Sequence, residues 1–370
     1  MNTVIMCGAD VHDNSLVCRT AAGRGEAVVK DYPNTLRGRH RMYGDLKKMA
    51  RQSGCSRIVF AYEASTQGFG LYDECIGQGI ECFVLAPTKM RKSRKDRKSK
   101  NDNRDAQLIL EVLRGYVLAG NELPKVWIPD HETRLDRETV RARLDVGAKL
   151  TGVKTQVQTL IKGHRITKPE EAGNSWSKPY RQWLKSLCVD GNWAAMATLI
   201  RQIEALEKEI AILDAAVEEL SCNARYKEAA PILIKELKGV GMLTAMVFLT
   251  EMGDMSRFSN RKKVGAYLGL VPTSNESGES ADRKGHITRE GSARLRRVLC
   301  QASWARVAND PLEREYYERV VQRNPKHKKI AVVAVMRRLG VRMWHIALAS
   351  QRRTGVFPPP EPNKMMRAAA

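Results

Sequence analysis

Short apolar runs separated by turn signals fill the first 90 residues, a pattern typical of an α/β domain. The runs that predict β-strands lie at 3–10, 15–20, 26–32, 57–63 and 80–87. The first three predict a three-stranded meander, and the fourth is apolar almost throughout, as in a strand buried on both faces. Helical periods begin at Leu36, between the last two strands, and near Asp102. We therefore expect a mixed sheet with flanking helices.

Apolar residues repeat in heptads within residues 133–222. They are spaced alternately four and three residues apart from Val146 to Leu160 and again from Leu199 to Leu220, with charged residues between them. Gly, Pro, Ser and Asn in the intervening segment 163–191 indicate an antiparallel hairpin of two helices. The pattern fits a coiled-coil pair packed on its own domain and a stalk that forms a dimer equally well.

From Pro231 onward the pattern is helical and increasingly basic, with 18 Lys and Arg against five Asp and Glu between Arg283 and Arg353. The final residues are rich in proline and are predicted to be disordered. The chain therefore divides into four predicted segments: an α/β domain at 1–125, a coiled-coil hairpin at 126–230, a mainly helical domain at 231–354 and a tail at 355–370.

Composition and charge narrow the class of protein. The 370 residues include 63 Lys and Arg against 41 Asp and Glu, and the net charge of +22 indicates a polyanionic partner. No apolar run reaches the ~20 residues of a membrane span, and the N-terminus lacks signal-peptide features. Eight cysteines without C-x-x-C and seven histidines without H-x-x-x-H argue against a zinc site. We expect a soluble, cytoplasmic protein.

The densest run of charge lies at 89–104, where nine Lys and Arg stand against two Asp. Such a run cannot pack in a core. It is either a solvated loop or a loop ordered by phosphates, and we favour the second because the run adjoins a group of acidic residues. The candidate nucleic-acid contacts in this loop are Lys92, Arg94, Lys95, Arg97, Lys98 and Lys100.

Four carboxylates have positions that suit a metal site. Asp10 ends the first predicted strand and Glu63 the fourth, so both can project from one edge of the sheet. Asp102 and Asp105 share one face at the start of a helix because they are three residues apart. Together they offer the hard oxygen ligands that Mg²⁺ prefers, and two such ions promote phosphoryl transfer. Taken singly, Asp102 is better explained as an N-cap and Asp10 as a turn residue, but the four in this order beside the basic run favour the metal site.

The motifs around these carboxylates resemble those of a known family. GAD at 8–10, YEAS at 62–65 and KNDNRDAQLI at 100–109 are similar to the DEDD motifs of RuvC-like transposases of insertion-sequence family 110. The resemblance implies an RNase H-like fold in which Asp10, Glu63, Asp102 and Asp105 bind Mg²⁺, with Mn²⁺ as the alternative. It also implies a second, serine-containing domain.

A glycine-rich motif opens the predicted C-terminal domain. KELKGVGMLTA at 235–245 has the form of a helix-hairpin-helix, in which Gly239 and Gly241 permit a tight turn and its backbone N–H groups face a phosphate. A plain glycine turn between packed helices explains the same residues equally well.

Residues 269–299 resemble the second signature of the same family. The resemblance makes Ser277, which precedes Gly278, the candidate nucleophile; Glu276 replaces a serine common in the family, and Ser274 is a weaker candidate. His286 is a candidate for proton transfer. A serine in such a loop is also often an ordinary loop residue. The basic residues that can hold a phosphodiester beside it are Arg283, Lys284, Arg289, Arg294, Arg296 and Arg297.

The resemblance implies a recombinase that cuts and exchanges DNA strands through a covalent phosphoserine intermediate. It further implies donor and target DNA, a structured noncoding guide RNA of the "bridge" type, and a homo-oligomer, either a dimer or a tetramer. Two other functions remain open at this point. One is a metal-dependent junction resolvase or nuclease that uses water, and the other is a non-catalytic nucleic-acid-binding scaffold.

Overall fold

A computed structural model of the chain describes residues 3–90, 102–188, 193–274, 284–323 and 325–357. It contains two compact units, Met1–Ile128 and Pro129–Ala370. Within the described ranges, no helix has both the length and the apolar character that crossing a membrane requires. The finer division into four segments stays a prediction.

The first unit is built on a five-stranded mixed sheet. Its elements in chain order are β1 (Val4–Val11), β2 (Ser15–Ala22), β3 (Val28–Pro33), α1 (Leu36–Gln52), β4 (Arg57–Glu63), α2 (Gly70–Gly77), β5 (Glu81–Leu85) and α3 (Asp102–Ala119). The strand order is β3-β2-β1-β4-β5. The first three strands form the predicted antiparallel meander, whereas β4 runs parallel to β1 and β5 parallel to β4. This architecture fits the RNase H-like domain that the motifs imply.

The sheet separates two apolar clusters, because successive side chains of a strand point to opposite faces. Ile5 and Cys7 of β1 pack with α1 and α2 on one face. Met6 of β1 and Ala61 of β4 pack on the other face with α3, which contributes Leu110 and its apolar neighbours. The central strands are therefore buried on both sides, as the sequence predicts for β4.

Helix α3 lies unusually close to β1. A Cβ atom on Gly8 would lie 2.4 Å from the backbone nitrogen of Leu110 and 2.6 Å from the carbonyl oxygen of Ala106. Only glycine fits at this crossing, because neither backbone atom can move aside as a flexible side chain would. The guanidinium of Arg19, on β2, adds a hydrogen bond of 3.0 Å from Nε to the carbonyl oxygen of Asn103 in the first turn of α3.

The second unit is mainly helical. Its elements are α4 (His131–Gly163), α5 (Lys178–Ser186), α6 (Ala194–Ser221), α7 (Ala229–Glu236), α8 (Met242–Met252), α9 (Arg261–Tyr267), β6 (Pro272–Ser274), β7 (Lys284–Ile287), α10 (Ala293–Asn309), α11 (Pro311–Arg323) and α12 (Lys328–Thr354). The antiparallel pair β6–β7 was not expected from the sequence, because strands of three and four residues are too short to show an alternating pattern.

Helices α4 and α6 pack side by side in opposite directions. Ion pairs join Arg143 to Asp214 at 2.6 Å and Lys154 to Glu207 at 3.2 Å. The later residue of α4 thus pairs with the earlier residue of α6, as in antiparallel helices. This is the antiparallel hairpin that the heptads predict; coiled-coil packing in detail stays a prediction. The connection also contains α5, which begins after the N-cap Ser177 and was not expected.

Two arginines of α4 bind the end of α8, and a third arginine, in the segment that follows α8, binds there too. Arg137 donates to the carbonyl oxygens of Thr250 and Glu251 at 2.8 and 2.7 Å, and Arg257 donates to that of Met252 at 3.1 Å. Arg141 forms a bidentate ion pair with the Glu251 carboxylate. The cations thus meet the negative end of the α8 dipole and its otherwise unsatisfied carbonyl groups.

We expect Gly8→Ala to lower the free energy of unfolding by about 1–3 kcal/mol, because the new methyl group would overlap the backbone of α3. Gly44→Ala is the matched control, since Gly44 lies inside α1 with no described atom near its Cβ position. Alanine there raises stability by up to ~1 kcal/mol through its helix propensity. Urea unfolding followed by circular dichroism measures both changes. An unchanged midpoint for Gly8→Ala would contradict the close packing of α3 on β1.

Candidate active site and nucleic-acid contacts

Asp10 and Glu63 meet at one edge of the sheet. They lie at or near the carboxyl ends of β1 and β4, which are adjacent and parallel. Met6 of β1 and Ala61 of β4 face α3. Asp10 lies four residues after Met6, and Glu63 lies two residues after Ala61. Strand alternation therefore turns both carboxylates toward the face that α3 covers.

Helix α3 brings the third carboxylate to the same place. Asp105 precedes Ala106, whose carbonyl oxygen lies against Gly8 of β1. Asp10, Glu63 and Asp105 consequently line one pocket of about 630 Å³. Asp102 begins α3, but its side chain lies outside the described part of the structure.

Two loops form the walls of this pocket. One is the β1–β2 turn, 11–15, and the other is the segment 64–67 that follows β4. The Gln67 side-chain amide donates a hydrogen bond to the Asp13 carboxylate and so joins the two loops. This polar link was not expected from the sequence, because the two residues are 54 positions apart.

His12 is a further member of the pocket that sequence reasoning missed. Its Nε2 lies 3.3 Å from Oδ2 of Asp10, and the two side chains are 33% and 15% exposed. His12 lies just beyond the end of β1, in the β1–β2 turn, and the available signal was only its place two residues after Asp10.

The donor set fits a hard divalent cation in kind, since three carboxylates supply only oxygen ligands. Among the described residues, no three of His, Cys, Asp and Glu are already arranged to hold a metal. The side chain of the fourth predicted ligand, Asp102, lies outside the described part of the structure. The tetrad as a metal site therefore stays a prediction, with three of its members in one pocket.

The predicted basic contacts that the structure describes lie around the start of α10. Arg294 forms an ion pair with Asp145 of α4 at 2.8 Å. Arg296 donates from Nη1 to the carbonyl oxygen of Gly291 at 2.6 Å. Burial lowers the pKa of Arg296, and the nearby charge of Arg289 lowers it further. These arginines are therefore partly committed to the fold, and their role in binding nucleic acid stays a prediction.

The turn from Thr288 to Gly291 is held tightly. Arg289 is exposed and has a left-handed φ of 56°, which is uncommon for a residue other than glycine. A Cβ atom on Gly291 would lie 1.9 Å from the carbonyl oxygen of Tyr267, so that position also requires glycine. Arg297, one turn into α10, is exposed. Backbone strain of this kind is often found at functional sites.

The glycine motif forms a turn between α7 and α8. Gly239 has a φ of 84°, and a Cβ atom there would lie 2.8 Å from the carbonyl oxygen of Ala302 on α10. Packing alone thus requires glycine at this position. Gly241 is the N-cap of α8 and has no described atom near its Cβ position. Phosphate binding by this turn stays a prediction.

The candidate for proton transfer, His286, lies in β7 and is exposed. Its carbonyl oxygen accepts a hydrogen bond from Thr273 Oγ1 at 3.1 Å.

Several other candidate residues lie outside the described part of the chain, either wholly or in their side chains. Wholly outside are Lys92, Arg94, Lys95, Arg97, Lys98, Lys100, Ser277 and Arg283. Only the backbone is described for Ser274 and Lys284.

Comparison with known proteins gives matches to both units. A transposase family model for the DEDD type of IS110 elements matches residues 7–166. A second, for the Transposase IS116/IS110/IS902 family, matches residues 232–318. The two matches cover the pocket carboxylates and the segment that contains Ser277.

Two proteins that this chain resembles in sequence are named as putative transposases. The putative transposase y4qE of Sinorhizobium fredii is 32% identical over 67% of this chain and 58% of its own length. The putative transposase y4rJ of the same organism is 28% identical over 89% of this chain and 88% of its own. The chain therefore spans little more than half of y4qE.

A structure of Thermus thermophilus RuvC aligns with 33% of this chain and 99% of its own at 11% identity, but the TM-score of 0.23 is too low to bear on the fold. The mixed sheet and the two family matches instead define the class, a DEDD transposase with an RNase H-like domain. The chain belongs to the IS110 family of transposases.

We expect Arg19→Ala to loosen the first turn of α3, because it removes the hydrogen bond to the Asn103 carbonyl oxygen. A hydrogen bond worth about 1 kcal/mol corresponds to roughly fivefold faster exchange of the second-turn amides, which donate to the carbonyl oxygens of the first turn. Hydrogen–deuterium exchange read by mass spectrometry measures this change. Arg37→Ala, on the exposed surface of α1, is the control and should leave α3 unaffected. Equal exchange in both variants would contradict a positioning role for Arg19.

Proposed function

We propose that this protein cuts and rejoins DNA at the ends of an insertion sequence. One observation carries most of the support: Asp10, Glu63 and Asp105 come from three separate elements and line one pocket in a domain matched by a DEDD transposase model. The described residues that line this pocket supply four carboxylates, those of Asp10, Asp13, Glu63 and Asp105, and one imidazole, that of His12.

The carboxylates hold a divalent metal ion in this proposal. Asp10, Glu63, Asp102 and Asp105 would bind it, and DEDD enzymes of this fold generally use such ions. When bound, Mg²⁺, the proposed ion, would neutralise charge on a scissile phosphate and stabilise the attacking and leaving oxygens. The protein's own contribution is to fix the direction of each carboxylate through the two strands and through the contact of α3 with Gly8.

Ser277 is the proposed nucleophile. Its hydroxyl oxygen forms an ester bond with phosphorus while one phosphodiester P–O bond breaks, and the leaving oxygen takes up a proton. The number of ester bonds is conserved, so the reverse attack by another DNA end exchanges strands without an external energy source. The family match over residues 232–318 supports this role.

Basic residues near each half of the proposed chemistry would bind phosphates of DNA and of a structured guide RNA. Support comes from the net charge of +22 and from its concentration at 89–104 and beyond Arg283. In this proposal the guide RNA recognises sequence through base pairing, while the protein contacts backbones. Arg289 and Arg297 are the exposed candidates at the α10 end.

The α4–α6 hairpin is the proposed oligomer contact. Its heptad residues Leu206 and Ile210 remain partly exposed after the two helices pack, and Ile212 beside them is 62% exposed. Two helices alone do not cover an apolar seam of this length, so a second hairpin from another copy would complete it. We propose a dimer or tetramer on this basis.

Asp105→Asn is expected to reduce metal-dependent DNA cleavage at least ~100-fold, because it removes a charge that holds the metal ion. Glu111→Gln is the matched control on the same helix, since Glu111 pairs with Arg114 at 2.9 Å and does not line the pocket. Cleavage of labelled cognate DNA with and without Mg²⁺ measures both. Full cleavage by Asp105→Asn would contradict a metal-binding role for Asp105, whereas a wild-type protein that cleaves no DNA with Mg²⁺ would favour a non-catalytic scaffold.

Ser277→Ala is expected to abolish a covalent protein–DNA adduct that the wild-type protein forms with Mg²⁺ and cognate nucleic acid. Denaturing gel electrophoresis of labelled DNA detects the adduct, which survives denaturation because the phosphoserine ester is covalent. Ser274→Ala is the control and should retain it. Cleavage that continues unchanged in Ser277→Ala, with no adduct in any variant, would instead support a nuclease that uses water.

A further inference from the structure

His12 occupies a fixed position beside the carboxylate pocket. Its backbone N–H donates to the carbonyl oxygen of Ser15 at 2.9 Å, within the β1–β2 turn. Its carbonyl oxygen accepts a hydrogen bond of 2.7 Å from the side-chain amide of Asn34. Held on both sides, the main chain directs the imidazole to the α3 face of the sheet, where it lines the pocket.

The separation of His12 and Asp10 is close to that of two ligands of one metal ion. Ligands at right angles around an octahedral ion, each ~2.1 Å from it, lie ~3.0 Å apart. The Nε2 atom of His12 lies 3.3 Å from Oδ2 of Asp10. A small rotation of either side chain brings the pair to the ligand separation.

We propose that His12 is a nitrogen ligand of the carboxylate site and makes that site prefer Mn²⁺ to Mg²⁺. The inference rests on the proposed function, because it takes Asp10 as a metal ligand. It extends that function in two ways. It adds His12 to the four carboxylate ligands, and it assigns to His12 the preference of the site for Mn²⁺.

Ligand chemistry explains the preference. Mg²⁺ binds oxygen ligands and gives up its water reluctantly, so an imidazole adds little to its affinity. Imidazole binds transition metals well, and Mn²⁺ belongs to that series while it still accepts carboxylates. A site of carboxylates plus one imidazole therefore gains more affinity for Mn²⁺ than for Mg²⁺.

Electron spin-echo envelope modulation of Mn²⁺ bound to the full-length protein tests the inference directly. An imidazole ligand couples its ¹⁴N nucleus to the unpaired electrons of the metal. We expect the wild-type protein to show this ¹⁴N modulation and His12→Gln to lack it. Absence of the modulation in wild-type protein loaded with Mn²⁺ would overturn the inference.

Equilibrium titrations provide a second measurement. Removing a group that orients or binds a metal typically costs 10–100-fold in affinity. In His12→Gln and His12→Ala we expect the dissociation constant for Mn²⁺ to rise about tenfold, and that for Mg²⁺ in competition to change less than about threefold. An unchanged ratio of the two constants in both variants would overturn the inference.

Two controls distinguish a failure of the His12 proposal from a failure of the proposed carboxylate site. His40→Ala changes an exposed histidine of α1, on the opposite face of the sheet, and should leave both constants unchanged. Asp10→Asn should remove tight Mn²⁺ binding, and if it does not, the proposed carboxylate site itself is wrong. Loss of binding in Asp10→Asn together with no ¹⁴N modulation in the wild type would reject the role of His12 alone. Thermal melts confirm that each variant is folded.

Discussion

The contact between two backbones, that of α3 and that of β1 at Gly8, determines the geometry of the candidate active site. Backbone atoms cannot rotate away as side chains do, so the contact fixes the distance between the strand and the helix. Asp10 lies two residues beyond Gly8, and Asp105 lies beside the helix residue that touches it. The main chain therefore sets the distance between the backbone positions of these two carboxylates, and packing of side chains affects it little.

Arginine side chains stabilise the second unit at the end of α8, where apolar packing alone would leave backbone carbonyl groups without hydrogen bonds. The last carbonyl groups of α8 are buried, and Arg137 and Arg257 supply their hydrogen bonds. Burial lowers the pKa of both guanidinium groups, which shows the cost of bringing them there. The rings of Phe258 and Tyr267, with centroids 4.1 and 4.3 Å from Arg257 Cζ, offset part of that cost.

Much of the first unit could be predicted from sequence, because strand alternation and the 57–63 run carry strong local signals. The pocket carboxylates were predictable for the same reason, with the family motifs added. His12 was missed because its importance depends on where the turn after β1 directs it. The ion pair of Arg294 with Asp145 joins residues 149 positions apart, and no local pattern reports such a contact. The β6–β7 pair and α5 are too short for periodicity to reveal them.

The α4–α6 hairpin contributes residues to two separate apolar cores. Near its root, Val140 and Leu144 belong to the large core of the second unit. At the far end, Val157 and Ile203 belong to a smaller core with α5. Helix α4 has 33 residues and is therefore about 50 Å long. Because the helix is this long, a rotation of about 6° at the root would move the far end by about 5 Å.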